Sequence, residues 1–200
     1  MQPAQKNIVN EAIRQQILAS ALSRFSHYGY NKTTMVEIAE DAGMSAANLY
    51  RYFENKQDIM AACAGQCVCD RIEELNNILK EDNQDAILML EKYALTTLHF
   101  SHRFASENKK ISELIEVIKE QRPDVIYQRV DNEVNILRKI LLKGINTGKF
   151  KIDDIDETAR SIHLCLVLFD VPIFMNLYPL KQFEEMARSI IKLVVNGIKK

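Results

Sequence analysis

The sequence predicts an all-α protein, with an N-terminal three-helix unit built around a helix-turn-helix and a larger C-terminal helical domain. Three observations predict it. Glycine and proline are scarce, at 6 and 4 of 200 residues, which favours helices over sheet and over disorder. Apolar residues recur at three- and four-residue steps along most of the chain. Residues 33–56, TTMVEIAEDAGMSAANLYRYFENK, hold helix-start signals on both sides of a glycine.

The first helix is expected over 8–28, with Val9, Ile13, Ile17, Ala21, Leu22 and Phe25 on one side and Gly29 as its stop. Residues 30–33 form a link. Thr34 caps the second helix, and Glu37 three residues later completes a capping box. Ile38 and Ala39 face inward. Gly43 ends this helix where a residue without Cβ can take positive φ. Ser45 caps the next helix, 46–52, and Asn55 caps a long one over 55–80 with Lys56 and Asp58 in its first turn. Ala39 stands four residues before Gly43 and Leu49 six after it. A helix-turn-helix needs a small residue where its helices cross, glycine in the turn and an aliphatic residue locking the second helix, and all three are in register.

Beyond Glu81-Asp82-Asn83 a helix is expected over 84–105, with Ile87, Leu88, Leu90, Tyr93, Ala94, Leu98 and Phe100 as a wide apolar face. A shorter one follows over 107–120, with Ile111, Leu114, Ile115 and Ile118 on one side. Pro123 marks a break before a helix over 124–147, which Gly148 and the polar DDID stretch end. The last pair is expected over 155–177 and 181–198, separated by Pro179. The middle of the first, LCLVLFDVPIFM, is apolar almost all round, as in a helix buried on more than one side. That points to a dimer-forming pair; the plainer alternative is a core helix of a monomer. No Pro/Ser-rich linker, repeat or low-complexity tract divides the chain.

Composition narrows the function. The net charge is −1, and residues 1–56 carry six Lys/Arg against five Asp/Glu. The charge balance therefore does not advertise non-specific nucleic-acid binding through a basic surface, and DNA affinity would rest on focused contacts and helix N-termini. MQPAQKNIVNEA lacks the apolar core of a signal peptide. The apolar run from Ile162 to Leu177 is interrupted by His163, Asp170, Pro172 and Asn176 and is too short to span a membrane. A cytoplasmic protein with its four cysteines reduced is expected. There is no P-loop, GxSxG or HExxH, so nothing points to an enzyme, a cofactor or a resident metal.

The run TTMVEIAEDAGMSAANLYRYFENKQDI resembles the signature of the TetR family of bacterial transcriptional regulators, T-x-x-x-I-A-x-x-A-G-V-S-x-G-x-L-Y-x-H-F-x-x-K-x-x-L. Thr34, Ile38, Ala39, Ala42, Gly43, Ser45, Leu49, Tyr50, Phe53 and Lys56 match it. Met44 stands in place of valine, Ala47 in place of glycine and Tyr52 in place of histidine. The resemblance implies a DNA-binding N-terminal domain, 1–56, and a C-terminal helical domain for ligand binding and dimerisation, 57–200, with the long fourth helix as the lever between them and the boundary inside it. It implies a homodimer through the last two helices and a palindromic double-stranded DNA operator. It further implies a repressor released when a small, mostly apolar effector shifts the fourth helix. On the same footing helix 46–52 enters the major groove behind its Ser45 cap. Tyr50 and Tyr52 meet phosphates through their hydroxyls, as do Lys56 with the first N–H groups of the fourth helix, and Thr34. Ala46, Ala47 and Asn48 lie nearest base edges, where Asn48 can pair bidentately with adenine and the alanine methyls can meet thymine methyls. Arg51 suits guanine or a phosphate. Leu49 and Phe53 are core.

For the C-terminal half the residues offer candidates. Met89, Tyr93, His99, Phe100, Phe104, Tyr127, Phe169 and Phe174 could line an apolar cavity, although each equally suits a plain core. Asp170, inside LCLVLFDVPIF, is costly unless paired. It could face a cationic ligand or bond across a dimer, but an exposed helix edge is the simplest place for it. Cys63 and Cys67 share a helix face and could hold a soft metal or form a redox pair, with His99 or His102 as a further ligand, while Cys69 points elsewhere. Burial as small apolar residues explains them more simply. Two rivals follow: a cysteine-based metal or redox sensor, and an all-helical ligand-binding protein that has lost DNA. Intact Tyr50, Lys56 and helix caps oppose the second.

Overall fold

The computed structural model describes residues 3–80 and 85–200, with the side chains of residues 3–9 and of Ile111 outside the description. The expected inward positions of Val9 and Ile111 and the break at Glu81-Asp82-Asn83 therefore lie outside the described residues. Helices α1 (Pro3–Tyr28), α2 (Met35–Asp41), α3 (Ala46–Leu49), α4 (Lys56–Leu79), α5 (Ala86–Glu107), α6 (Ile111–Gln121), α7 (Pro123–Asn146), α8 (Ile155–Cys165), α9 (Val167–Asp170) and α10 (Leu180–Ile198) follow in order, with a 3₁₀ turn at Pro172–Phe174. The protein is all-α, as its sequence predicts. The only extended pairing among the described residues is a bridge between Phe150 and Lys199.

The chain forms two compact units. The first comprises residues 1–67 and 107–126, and the second residues 68–106 and 127–200. The division cuts α4 inside the helix, and α6 joins the N-terminal unit.

In the first unit Ile17, Ala21 and Phe25 of α1, Ile38 and Ala39 of α2, Leu49 of α3 and Ile59 and Met60 of α4 are buried. Those of α1, α2 and α3 are among the residues whose spacing marked the inward faces; Ile13 and Leu22 of the same set are half-buried, and Ile59 and Met60 are burials the spacing did not single out. The capping box is present in full: Glu37 N–H donates to Thr34 Oγ1 at 3.3 Å, and Thr34 N–H donates back to Glu37 Oε2 at 2.8 Å. Gly43 takes φ 66°, closed to most L side chains, and its N–H donates to Glu40 O at 3.0 Å. Gln16 of α1 ties this turn down by donating to Ala42 O at 2.8 Å. The α6 residue Glu113 accepts from Asn31 N–H at 2.8 Å, so α6 holds the α1–α2 link. Ser26 and Asn108 add a buried side-chain hydrogen bond between α1 and the start of the α6 segment.

The second unit has one continuous apolar core. Leu75 and Ile78 of α4, Met89, Leu90, Ala94 and Leu98 of α5, and Leu137, Ile140 and Leu141 of α7 pack with Phe169, Phe183, Ile191 and Val195. Two sequence expectations change here. The single helix over 155–177 is broken into α8, α9 and the 3₁₀ turn. Leu166 leaves helical geometry at ψ 1°, and Val171 is extended at φ −95°, ψ 118°, because the ring of Pro172 clashes with a helical residue before it. Pro123 is the first residue of α7 rather than a gap, since a proline lacking N–H loses nothing in a first turn.

Candidate nucleic-acid interface and buried polar centre

The helix-turn-helix presents its expected outer face. The Ser45 hydroxyl accepts from Asn48 N–H at 3.2 Å, and regular helix spans Ala46–Leu49 before loosening into turns through Phe53. This is shorter than the 46–52 expected, although Phe53 N–H still reaches Leu49 O at 3.1 Å. Leu49 and Phe53 are buried, whereas Ala47 and Arg51 are exposed and Tyr50 is 53% exposed. Ala46, Asn48 and Tyr52 are half-buried at its edges. Arg14 of α1 stacks on the Phe53 ring, 4.3 Å from its centroid, and braces this end of the motif.

Two expected phosphate contacts have other partners. Lys56 Nζ donates to Tyr30 O at 2.7 Å and Thr33 O at 2.8 Å and lies 4.3 Å from the Tyr30 ring centroid. It clamps the α1–α2 link to α4, with one of its three donors remaining. Partial burial pushes its pKa down. The Thr34 hydroxyl accepts from Glu37 N–H and donates to Glu37 Oε2 at 2.9 Å, so it is committed on both sides. Arg24 pairs with Asp41 at 2.6 Å and Glu37 at 3.0 Å. The Asn55 side chain accepts from Asp58 N–H at 2.9 Å, and the N–H groups of Lys56 and Gln57 have no partner one turn back in α4.

The expected ligand residues of the second unit divide. Met89, Tyr93 and Phe169 lie in the core and Phe174 packs against it. Phe100 is buried and stacks with Phe104 at 6.3 Å. His99 is exposed and pairs with Glu184 at 2.7 Å, and Tyr127 is 69% exposed, so neither lines an interior. Asp170 overturns the exposed-edge expectation: it is 2% exposed and heavily paired.

Around Asp170 lies a centre that the sequence reading missed. Arg71 of α4 donates through Nε to Glu133 Oε1 at 2.7 Å, through Nη1 to Ser101 Oγ at 2.9 Å and through Nη2 to Asp170 Oδ1. Arg129 of α7 grips both Asp170 oxygens, at 2.8 and 2.9 Å, and reaches Glu133 Oε1 at 3.1 Å. Ser101 Oγ donates to Asp170 O at 2.6 Å. Burial pushes the Asp170 pKa up, but Arg71 and Arg129 more than offset it, and the carboxyl is held below its ordinary range. Two guanidiniums face two carboxylates. Glu133, His163 and Asp170 are near enough to hold a metal ion. The donor set does not suit one, because both Asp170 oxygens already accept from guanidiniums and a cation would sit beside two fixed positive charges.

The signal for this centre lay in the helical register. Glu133 stands four and seven residues before Leu137 and Ile140, and Arg71 four and seven before Leu75 and Ile78, so each charge sits in a buried stripe. Among the thiols, Cys63 is buried, Cys67 half-buried and Cys69 exposed, and burial raises the Cys63 pKa to about 12.

Residues 17–63 match the family described as bacterial regulatory proteins, tetR family, and residues 86–191 match the tetracyclin repressor-like C-terminal domain. The chain is 26% identical over 189 residues to the fatty acid metabolism regulator protein of Bacillus subtilis, covering 92% of this chain and 94% of that one. A solved transcriptional regulator from Cytophaga hutchinsonii superposes with TM-score 0.73 at 26% identity, over 93% of this chain and 98% of that one. SmeT, the repressor of the Stenotrophomonas maltophilia multidrug efflux pump SmeDEF, shares the fold at TM-score 0.66 and 20% identity, over 94% and 90%, and has been solved with triclosan.

Proposed function

The chain belongs to the tetR family of bacterial regulatory proteins, and from that premise we propose how it reads DNA and what releases it. It is a DNA-binding transcriptional regulator of the ligand-responsive, repressor type. The observation that carries the reading is the outer face of α3. Ala47, Tyr50 and Arg51 stand out from a scaffold that buries Leu49 and Phe53 behind the Ser45 cap. Ala46, Ala47 and Asn48 meet base edges, Tyr50 and Tyr52 meet phosphates, and Arg51 meets guanine or a phosphate. Lys56 acts chiefly by holding the α1–α2 link, while the N–H groups beside it at the start of α4 face the backbone of the duplex.

The chain works in the cytoplasm as a homodimer on a palindromic operator, without catalysis. Leu164 of α8 and Leu193 of α10 are 68% and 71% exposed, and Ile173, Leu177 and Tyr178 between these helices are also exposed. Such side chains suit a second copy better than water. The effector is small and mostly apolar and binds in the second unit. Relatives named for fatty acid metabolism and for triclosan support that class. Occupation shifts α4, which starts in the first unit and ends in the second. The thiol-switch reading loses ground because the buried Cys63 stays protonated at physiological pH.

The test is selection of bound DNA from a random pool, with Tyr50→Ala beside the wild type. A palindrome enriched by the wild type and lost in the variant is expected. No enrichment by the wild type at low salt would overturn the reading.

A further inference from the structure

Four buried polar side-chain atoms of the second unit have no hydrogen-bond partner among the described residues: Arg138 Nε, whose guanidinium pairs with Asp156 through Nη2, and Tyr93 Oη, Thr97 Oγ1 and Glu133 Oε2. The positions of the last three are related. Tyr93, Thr97 and Ser101 recur every fourth residue along one face of α5, all buried. Ser101, at one end, is bonded to Arg71 and Asp170; the other two are not bonded. Glu133 turns Oε1 to both guanidiniums, while Oε2 meets only His163 Nδ1 at 3.6 Å, beyond hydrogen-bond reach. Burial, and then the charge of Glu133, push the Tyr93 hydroxyl well above its ordinary pKa, which sets that hydroxyl within the field of the centre and keeps it a neutral donor.

The charges restrict what can complete this edge. Arg71 and Arg129 balance Glu133 and Asp170 through bonds already made. A guest carboxylate would add an uncompensated third anion against the free oxygen of Glu133, and a guest ammonium a third cation beside two guanidiniums. A neutral group that donates to Glu133 Oε2 and accepts from Tyr93 or Thr97 adds no charge and supplies the missing partners. A hydroxyl or an amide N–H with its carbonyl does both. Met89, Leu90 and Phe169 of the same core give the surroundings an apolar character.

We propose that Tyr93, Thr97 and Glu133 form the polar end of the effector site, selecting an apolar molecule that ends in a neutral hydrogen-bond donor and rejecting the matching carboxylate. This rests on the reading that the second unit holds the effector. The three residues set specificity. Of the three, Glu133 is bonded directly to Arg71 of α4 through Oε1, so a guest on its Oε2 touches the same carboxylate that Arg71 holds.

Calorimetric titration of the full-length protein with decan-1-ol, decanamide, decanoate and methyl decanoate tests the proposal, with Tyr93→Phe and Thr97→Val beside the wild type and far-UV circular dichroism to check folding. The alcohol and amide are expected to bind the wild type at least about tenfold more tightly than decanoate and the acceptor-only ester. Tyr93→Phe should weaken the alcohol and the amide, which both accept from its hydroxyl, about tenfold. Decanoate binding as tightly as the alcohol would overturn the proposal. So would alcohol affinity unchanged in both variants. Failure of all four probes would overturn it as well, and Tyr93→Phe then melting at a lower temperature would assign these atoms to a structural water. Anisotropy of the selected operator separates the two readings. If the alcohol binds without displacing DNA, the polar site stands and the effector reading falls; if DNA is released only by probes lacking a donor, the reverse holds.

Discussion

Asp170 is tolerable in an apolar run because two guanidiniums meet it at once. Removing one partner of such a group leaves a buried charge without compensation. Asp170→Asn is therefore expected to lower the urea-unfolding free energy by about 3–5 kcal/mol. The sign with pH follows from the depressed carboxyl. Its contribution is complete above the unfolded value of about 4 and is lost as pH falls through the lower folded value. The gap between wild type and Asp170→Asn should hold from neutrality to about pH 4 and close below it; a gap that widens in acid would refute the pairing as its source. Lys56 carries a prediction of a different kind. Two carbonyls accept from its ammonium, so Lys56→Met should lower stability by about 1.5–3 kcal/mol in the absence of DNA. A residue that served phosphate alone would leave the melt unchanged.

At the scale of the element, helix ends were set by local chemistry and one helix interior was not. Caps at Thr34, Ser45 and Asn55 and the glycine at 43 fall where the sequence placed them, because each acts on neighbours within four residues. The single helix expected over 155–177 breaks first at Leu166 and again before Pro172, where the residue before a proline is driven to extended backbone and the apolar pattern runs on regardless. Gly144 shows the opposite case, a glycine inside a helix required by its neighbour. An added Cβ would overlap the Phe150 ring, which packs over α7. Gly144→Ala, usually favourable in a helix, should here cost about 1–3 kcal/mol, read from the midpoint of thermal unfolding.

For the whole molecule the decisive question is assembly. A reader of two half-sites needs two recognition helices, and exposed Leu164 and Leu193 belong to the surface proposed for pairing. Leu164→Glu combined with Leu193→Glu should give a monomer in sedimentation velocity and abolish binding to a palindrome. It should leave unfolding of the isolated chain within about 0.5 kcal/mol, as expected of surface changes. A variant that remains dimeric would move the interface elsewhere.

The sequence by itself determined most of the helices and the helix-turn-helix, and with it the outer face proposed to meet DNA. Those features rest on caps, glycine and three-to-four-residue spacing, and each is complete within about 25 residues, as in the run from Thr33 to Lys56. The tertiary structure alone decided the partners of its buried charges. Arg71 and Asp170 stand 99 residues apart, Arg71 and Glu133 62, and Arg71 and Ser101 30. Register could show that Arg71 and Glu133 face a core. Only the packing of four helices could bring them within hydrogen-bond reach and leave Tyr93, Thr97 and one oxygen of Glu133 without a hydrogen-bond partner among the described residues, because a side chain's hydrogen bonds depend on distance in space and not on separation along the chain.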